Sequence, residues 1–208
     1  MDNPGLAQYA SLMEEVKLRI AVVDAILQGT TKLPLPPAVE SAALQFRKVL
    51  ELIAFGSLVA NKKAYASAYK DFSKEWNAKK LLKKLEGINS HFYPVPVKQV
   101  KTNLAGIAWK HVKITEPYLT KDAFVCVYQA CSELIHTPNP YGKSIDHASY
   151  MSQFPQWRAQ IVRLLNLHEL HLFNEPGMHV CSMMSTGTDK VLVYTFSPTG
   201  ATAVEAKL

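Results

Sequence analysis

Apolar residues along this chain recur mostly at helical spacing, and they crowd most densely between Glu40 and Asn61, ESAALQFRKVLELIAFGSLVAN. A segment apolar on nearly every side is predicted to be a helix covered by other elements on most of its faces. Leu44, Phe46, Val49, Leu50, Leu52, Ile53, Phe55, Leu58 and Val59 are its expected packing surface. Arg47 and Glu51 share one face four residues apart, and charges in such a place must pair or they cost several kcal/mol. Before this central helix, Asn3-Pro4 reads as an N-cap and first-turn proline opening a helix to about Gln28, with Gly29 ending it. TTKLPLPP is a short stiff connection, and Pro36-Pro37 start the central helix.

Beyond Asn61 the period of Tyr65, Tyr69 and Phe72 predicts a helix over about Lys62 to Trp76. Asn77 caps the next, AKKLLKKLEG, which Gly87 closes. From Ser90 to Glu116 prolines, β-branched residues and partial alternation predict an irregular excursion with one or two short strands. Thr120 caps a helix running to His136, with Asp122 in its first turn, and Pro138 and Pro140 forbid its continuation. After the turn-rich TPNPYGKSIDHASY, a last helix is expected from about Phe154 to His168. LHLF, MHVCSMM and KVLVYTF are strand candidates, with STGTD as a hairpin loop between the last two. The fold class is therefore mainly α: a bundle of five or six helices with a small C-terminal antiparallel sheet. Residues 1–168 form the helical domain, with a partly extended excursion over 90–116, and 169–208 a small β appendage packed on it.

About half the 208 residues are hydrophobic, enough for a core without disulfides or metals. Three cysteines (Cys126, Cys131, Cys181) without CxxC spacing argue against a zinc knuckle or disulfide framework and for a reducing compartment. The start of the chain, MDNPGLAQ, carries no basic n-region and apolar run, and no apolar stretch is long enough for a membrane span, so a cytoplasmic protein is expected. The net charge of +6 leans towards an anionic partner. Only four of the 23 basic residues are arginines, however, and lysine surfaces serve solubility more often than binding. The rows Lys79–Lys83 and Lys80–Lys84 are the densest basic patch, and read first as the solvated face of a surface helix.

No glycine-rich phosphate loop, dinucleotide fingerprint or GxSxG elbow is present, which removes nucleotide hydrolysis and hydride transfer. His168 and His171 lack the HExxH spacing of a zinc site, so no metal and no cofactor are expected. Tyr65, Tyr69, Phe72 and Trp76 lie at helical spacing and read as core rather than as a base-stacking platform.

Arg163 and His168 form R-x4-H near the end of the last predicted helix. With the long central helix and its charged pair, this resembles the HEPN superfamily, compact helical domains many of which are metal-independent ribonucleases of toxin–antitoxin, abortive-infection and CRISPR systems. RKVLELIAFGSLVAN, EWNAKKLLKKLEGIN, CSELIHTPNPYG and WRAQIVRLLNLH also resemble segments of a set of uncharacterised bacterial proteins, which brings no function with it. The first resemblance implies that residues 1–168 are a HEPN-like domain, that two protomers build one RNA cleft, and that Arg47 and Glu51 are structural. His168 would be the general acid or base and Arg163 would hold the scissile phosphate, chemistry that suits an imidazole and a guanidinium.

His136 is a second candidate, joining Asn139, Tyr141 and Lys143 as a substrate-binding pocket against the end of the last helix. The structural alternative is that His136 caps its helix and the prolines fix a turn. The sequence thus leads to a dimeric, HEPN-like RNA-binding protein or endoribonuclease of a bacterial defence or stress system. The rival is a non-catalytic interaction module whose helices are a scaffold and whose C-terminal strands bind a protein partner.

Overall fold

The structure is a computed structural model that describes residues 4–69, 77–103, 108–173, 177–185 and 187–196. Its helices are α1 (Pro4–Leu27), α2 (Leu35–Ala60), α3 (Lys62–Ala68), α4 (Ala78–Ile88), α5 (Lys121–Leu134) and α6 (His147–Leu165). Five strands accompany them: β1 (Val95–Lys101), β2 (Trp109–Lys113), β3 (Leu167–Leu170), β4 (Met178–Ser182) and β5 (Leu192–Phe196). The chain is mainly α with a minor antiparallel sheet.

Local chemistry sets most helix ends. Gly29, at φ +70, closes α1 in a left-handed turn where Thr30 N bonds Ala25 O and Gly29 N bonds Ile26 O. Asn77, Thr120 and Asp146 accept from Lys80 N, Ala123 N and Ser149 N, and so open α4, α5 and α6. Prolines in the first turn of α2 occupy positions whose N–H groups would have no intrahelical partner.

The core lies where α2 meets α1, α5 and α6. Phe46 touches the rings of Phe154 and Trp157, and Phe124, Leu50 and Ile53 are sealed beside them. Helix α1 packs tightly on α2 at Gly56, where a Cβ would come within 2.8 Å of Tyr9 Cε2 and 3.3 Å of Met13 Cε. Arg47 and Glu51 pair at 3.1 Å, as their spacing requires. The same guanidinium donates to Ser132 Oγ and Tyr128 Oη, which ties α2 to α5. Leu44 departs from expectation, exposed on the outer side of α2.

Three boundaries differ from those the sequence suggested. Helix α6 begins at His147, seven residues before Phe154, because the Asp146 cap starts it and the helix runs through Pro155. It ends at Leu165 rather than His168, since Leu167–Leu170 pair as a strand. Helix α3 stops at Ala68, where Tyr69 turns extended; the expected continuation over 70–76 lies outside the described residues.

The sheet order is β2-β1-β3-β4-β5, antiparallel throughout. The small sheet is thus not purely C-terminal. Two of its strands come from the 90–116 excursion, because α6 delivers β3 directly beside β1, where Val95 pairs with Glu169 and Pro96 with His168. The boundary between 168 and 169 falls inside β3. STGTD does lie in the β4–β5 hairpin connection, where Gly187 and Asp189 adopt positive φ.

Candidate functional site

Arg163 and His168 are not brought together. Arg163, on the last turn of α6, is exposed and donates from Nη1 to Pro117 O at 2.9 Å. His168, three residues past the end of α6, is fully buried on the face of β3 that meets the helices. Its Nδ1 lies 2.7 Å from Leu165 O and its Nε2 2.7 Å from Tyr9 Oη. A carbonyl can only accept, so Nδ1 carries the proton and Nε2 accepts from the tyrosine. Burial pushes the imidazole down to about 4, so it is neutral at pH 7, and pushes the Tyr9 hydroxyl well above its ordinary range. Both ring nitrogens are engaged within the chain, at Leu165 O and Tyr9 Oη. The spacing R-x4-H spans a helix end and a strand, which turn the exposed Arg163 and the buried His168 to opposite environments.

His136, Asn139, Tyr141 and Lys143 lie exposed between α5 and α6. Asn139 accepts from Tyr141 N at 2.9 Å, a local turn bond, and Tyr141 is 97% exposed. A ring so exposed forms no wall of a pocket. Nor is this loop near the end of the last helix, as expected. It leads into the start of α6, and the sixteen steps from His147 to Arg163, at ~1.5 Å each, put ~24 Å of helix between that start and Arg163.

The feature that the sequence did not flag is the outer face of the sheet. Register and the two-residue alternation of strands assign every side chain to a face. Pro96, His168, Leu170 and Cys181 share the face packed on the helices, and all are buried. The other face carries Val97 and Val180, both buried at its floor, and Glu169, with a side chain 16% exposed, 3.6 Å from His171. Around them stand Trp109, Tyr194 and Phe196, 49, 45 and 46% exposed, with Lys101, Lys113 and Gln99. Lys101 Nζ sits 5.5 Å from the Trp109 ring centre, a cation–π contact.

This face is concave. His111 belongs to β2 and Phe196 to β5, the two edges of a five-stranded sheet, yet their rings lie 5.9 Å apart, edge to face. Only a sheet strongly coiled about this face brings its edges into contact. β1 meets β3 at Val95 and Pro96 but continues with β2 as far as the Lys101–Trp109 pair, so the β1–β2 ribbon projects past its neighbour as an arm and bends back towards β5. The ribbon carries Lys98, Lys101, Lys110 and Lys113 and no carboxylate within its strands. Lys98 faces away from the groove, 3.9 Å from Glu116. The available sequence signal was the alternation W-x-H-x-K in β2 and L-x-Y-x-F in β5; nothing local says that the two rows share one face.

Elsewhere the described residues place no three His, Cys, Asp or Glu side chains so that they could hold a metal ion. Burial pushes the Cys131 and Cys181 thiols up to about 12, which leaves both un-ionised at neutral pH. A cavity of about 650 Å³ opens between the first turn of α1, the α2–α3 junction and Leu172–Phe173. Its buried polar group, Asn61, is spent on Ser57 O, Asn89 Nδ2 and Phe173 N, all within the protein. No helix among the described residues is long and apolar enough to cross a membrane. No family model, curated protein or solved structure matches this chain.

Proposed function

We propose that the protein is a non-catalytic RNA-binding module, in which the helices are a scaffold for the sheet and the concave sheet face is the interface. The observation that carries this reading is the row of half-exposed aromatic rings on that face beside lysines of the carboxylate-free β1–β2 ribbon. Aromatic faces and lysines in one groove are the pairing that single nucleic-acid strands use, stacking on the first and neutralised by the second. A nuclease function is disfavoured by the burial of His168, which leaves the R-x4-H pair without an accessible acid or base. The placement in a bacterial defence or stress system rests on the resemblance to HEPN proteins alone, and a cytoplasmic setting on the free thiols. This reading needs no second copy of the chain.

A second reading has one observation of its own. β5 is an edge strand with Leu192, Tyr194 and Phe196 exposed on one side, the kind of edge to which a protein partner adds a strand.

The test is incubation of the protein with a mixed RNA pool in EDTA, followed by both a retention assay and a gel of the RNA. Retained, intact RNA is the expected result. Cleavage that Arg163→Ala abolishes would restore the nuclease, and absence of retention would remove RNA as the ligand. Arg163 is a suitable probe because its side chain is exposed and its replacement leaves the core intact.

A further inference from the structure

We infer that the groove between the β1–β2 arm and β5 takes an unpaired nucleic-acid strand, held by base stacking on Trp109, Tyr194 and Phe196 and without base-sequence preference. This inference rests on the RNA-binding reading and specifies what kind of RNA.

The first argument is what the groove offers. Its three rings are half exposed, and a base can stack on such a ring only when it is out of a duplex stack. The groove is also narrow, because the arm bends back until the His111 ring meets that of Phe196. A single strand can lie along such a channel, whereas a duplex offers it only grooves and backbone.

The second argument is what the groove lacks. The forked donors of arginine are one means of reading a base edge. This chain has four arginines, and each is committed on the helices. Arg19 bonds Glu15 and Gln45, Arg47 bonds Glu51, Ser132 and Tyr128, Arg158 holds Asp24 through two 2.8 Å contacts, and Arg163 donates to Pro117 O. The cations that remain on the ribbon are lysines, point charges suited to phosphate without regard to sequence, beside the neutral Gln99 and the imidazole of His111. Stacking is equally tolerant, since every base has a face.

The third argument is charge. Lys101 and Lys113 line the groove, with the Glu169 carboxylate at its floor, so two phosphates are within reach of its lysines. At a slope of ~0.7 per phosphate for a single strand, two contacts mean that affinity should fall about 7-fold between about 50 and 200 mM salt.

The experiment is fluorescence anisotropy with the full chain and a labelled RNA of about ten unpaired nucleotides. Oligo-U, a mixed sequence and the same mixed sequence annealed to its complement are compared. The two single strands should bind within a few-fold of each other, and the duplex much more weakly. Trp109→Ala should weaken single-strand binding by about 5- to 150-fold, while Arg163→Ala leaves it unchanged. Trp109 is half exposed on an edge strand, so its removal leaves the core whole, and an unchanged circular dichroism spectrum verifies this. Equal or tighter binding of the duplex, or indifference to Trp109→Ala, would overturn the stacking site while leaving RNA binding in place. Failure of all three RNAs to bind would overturn the underlying reading with it, in favour of the β5 edge and a protein partner.

Discussion

The burial of His168 makes a quantitative demand on how stability varies with pH. An unfolded chain binds a proton at this imidazole near pH 6.5, whereas the folded protein resists until about 4, chiefly because burial penalises the charged ring. The depressed folded value means that the neutral form is the one that folds. The contribution is therefore complete above pH 6.5, is lost as the pH falls from 6.5 towards 4, and changes no further below that. At ~1.36 kcal/mol per pH unit the whole window is worth ~3 kcal/mol, and the part between pH 7.5 and 5.0 is worth ~2 kcal/mol. Glu14, whose carboxylate accepts from Val191 N, and Glu116 are held below their ordinary range and also lose stability on acidification, but mostly below pH 4.5. Stopping at pH 5.0 keeps them out of the measurement. The assay is urea unfolding at both pH values for wild type and for His168→Gln, whose amide can donate to Leu165 O and accept from Tyr9 without titrating. Wild type should lose ~2 kcal/mol more than the variant over this interval. Parallel losses in the two proteins would refute the reasoning, because they would mean that His168 charges as easily folded as unfolded.

Two further outcomes follow from the same region. Tyr9→Phe should cost ~1–3 kcal/mol in urea unfolding at pH 7.5, since it leaves the His168 Nε2 acceptor buried and unpaired; a cost near zero would mean that the ring finds another donor. Gly56→Ala should destabilise by ~1–3 kcal/mol, because its methyl would sit 2.8 Å from Tyr9 Cε2 and force α1 away from α2. A thermal midpoint equal to that of wild type would show that the two helices part without strain.

The chemistry of short stretches determined the helical part of this protein. Caps at Asn77 and Thr120, the stop at Gly29 and the prolines opening α2 act within one turn, and each was legible in the residues themselves. So was the Arg47–Glu51 pair, which one helix places on one face, and the hairpin connection around Gly187. The start of α6 was not, because HASYMSQ lacks an apolar stripe and Pro155 imitates a first-turn proline, while the Asp146 cap that opens the helix sits inside a run of turn formers. The candidate site was not legible either. R-x4-H is a statement about spacing, and whether its histidine faces water depends on which strand it joins and what lies beneath it. Tertiary structure put His168 opposite Cys181 and under Tyr9, a residue 159 positions away. It likewise brought Trp109 and His111 to the same groove as Tyr194 and Phe196, across more than eighty residues of chain. Local periodicity decides which side of its own strand a residue takes. Only the pairing of strands distant in sequence decides which sides become one surface, and only the coiling of the sheet turns that surface into a groove.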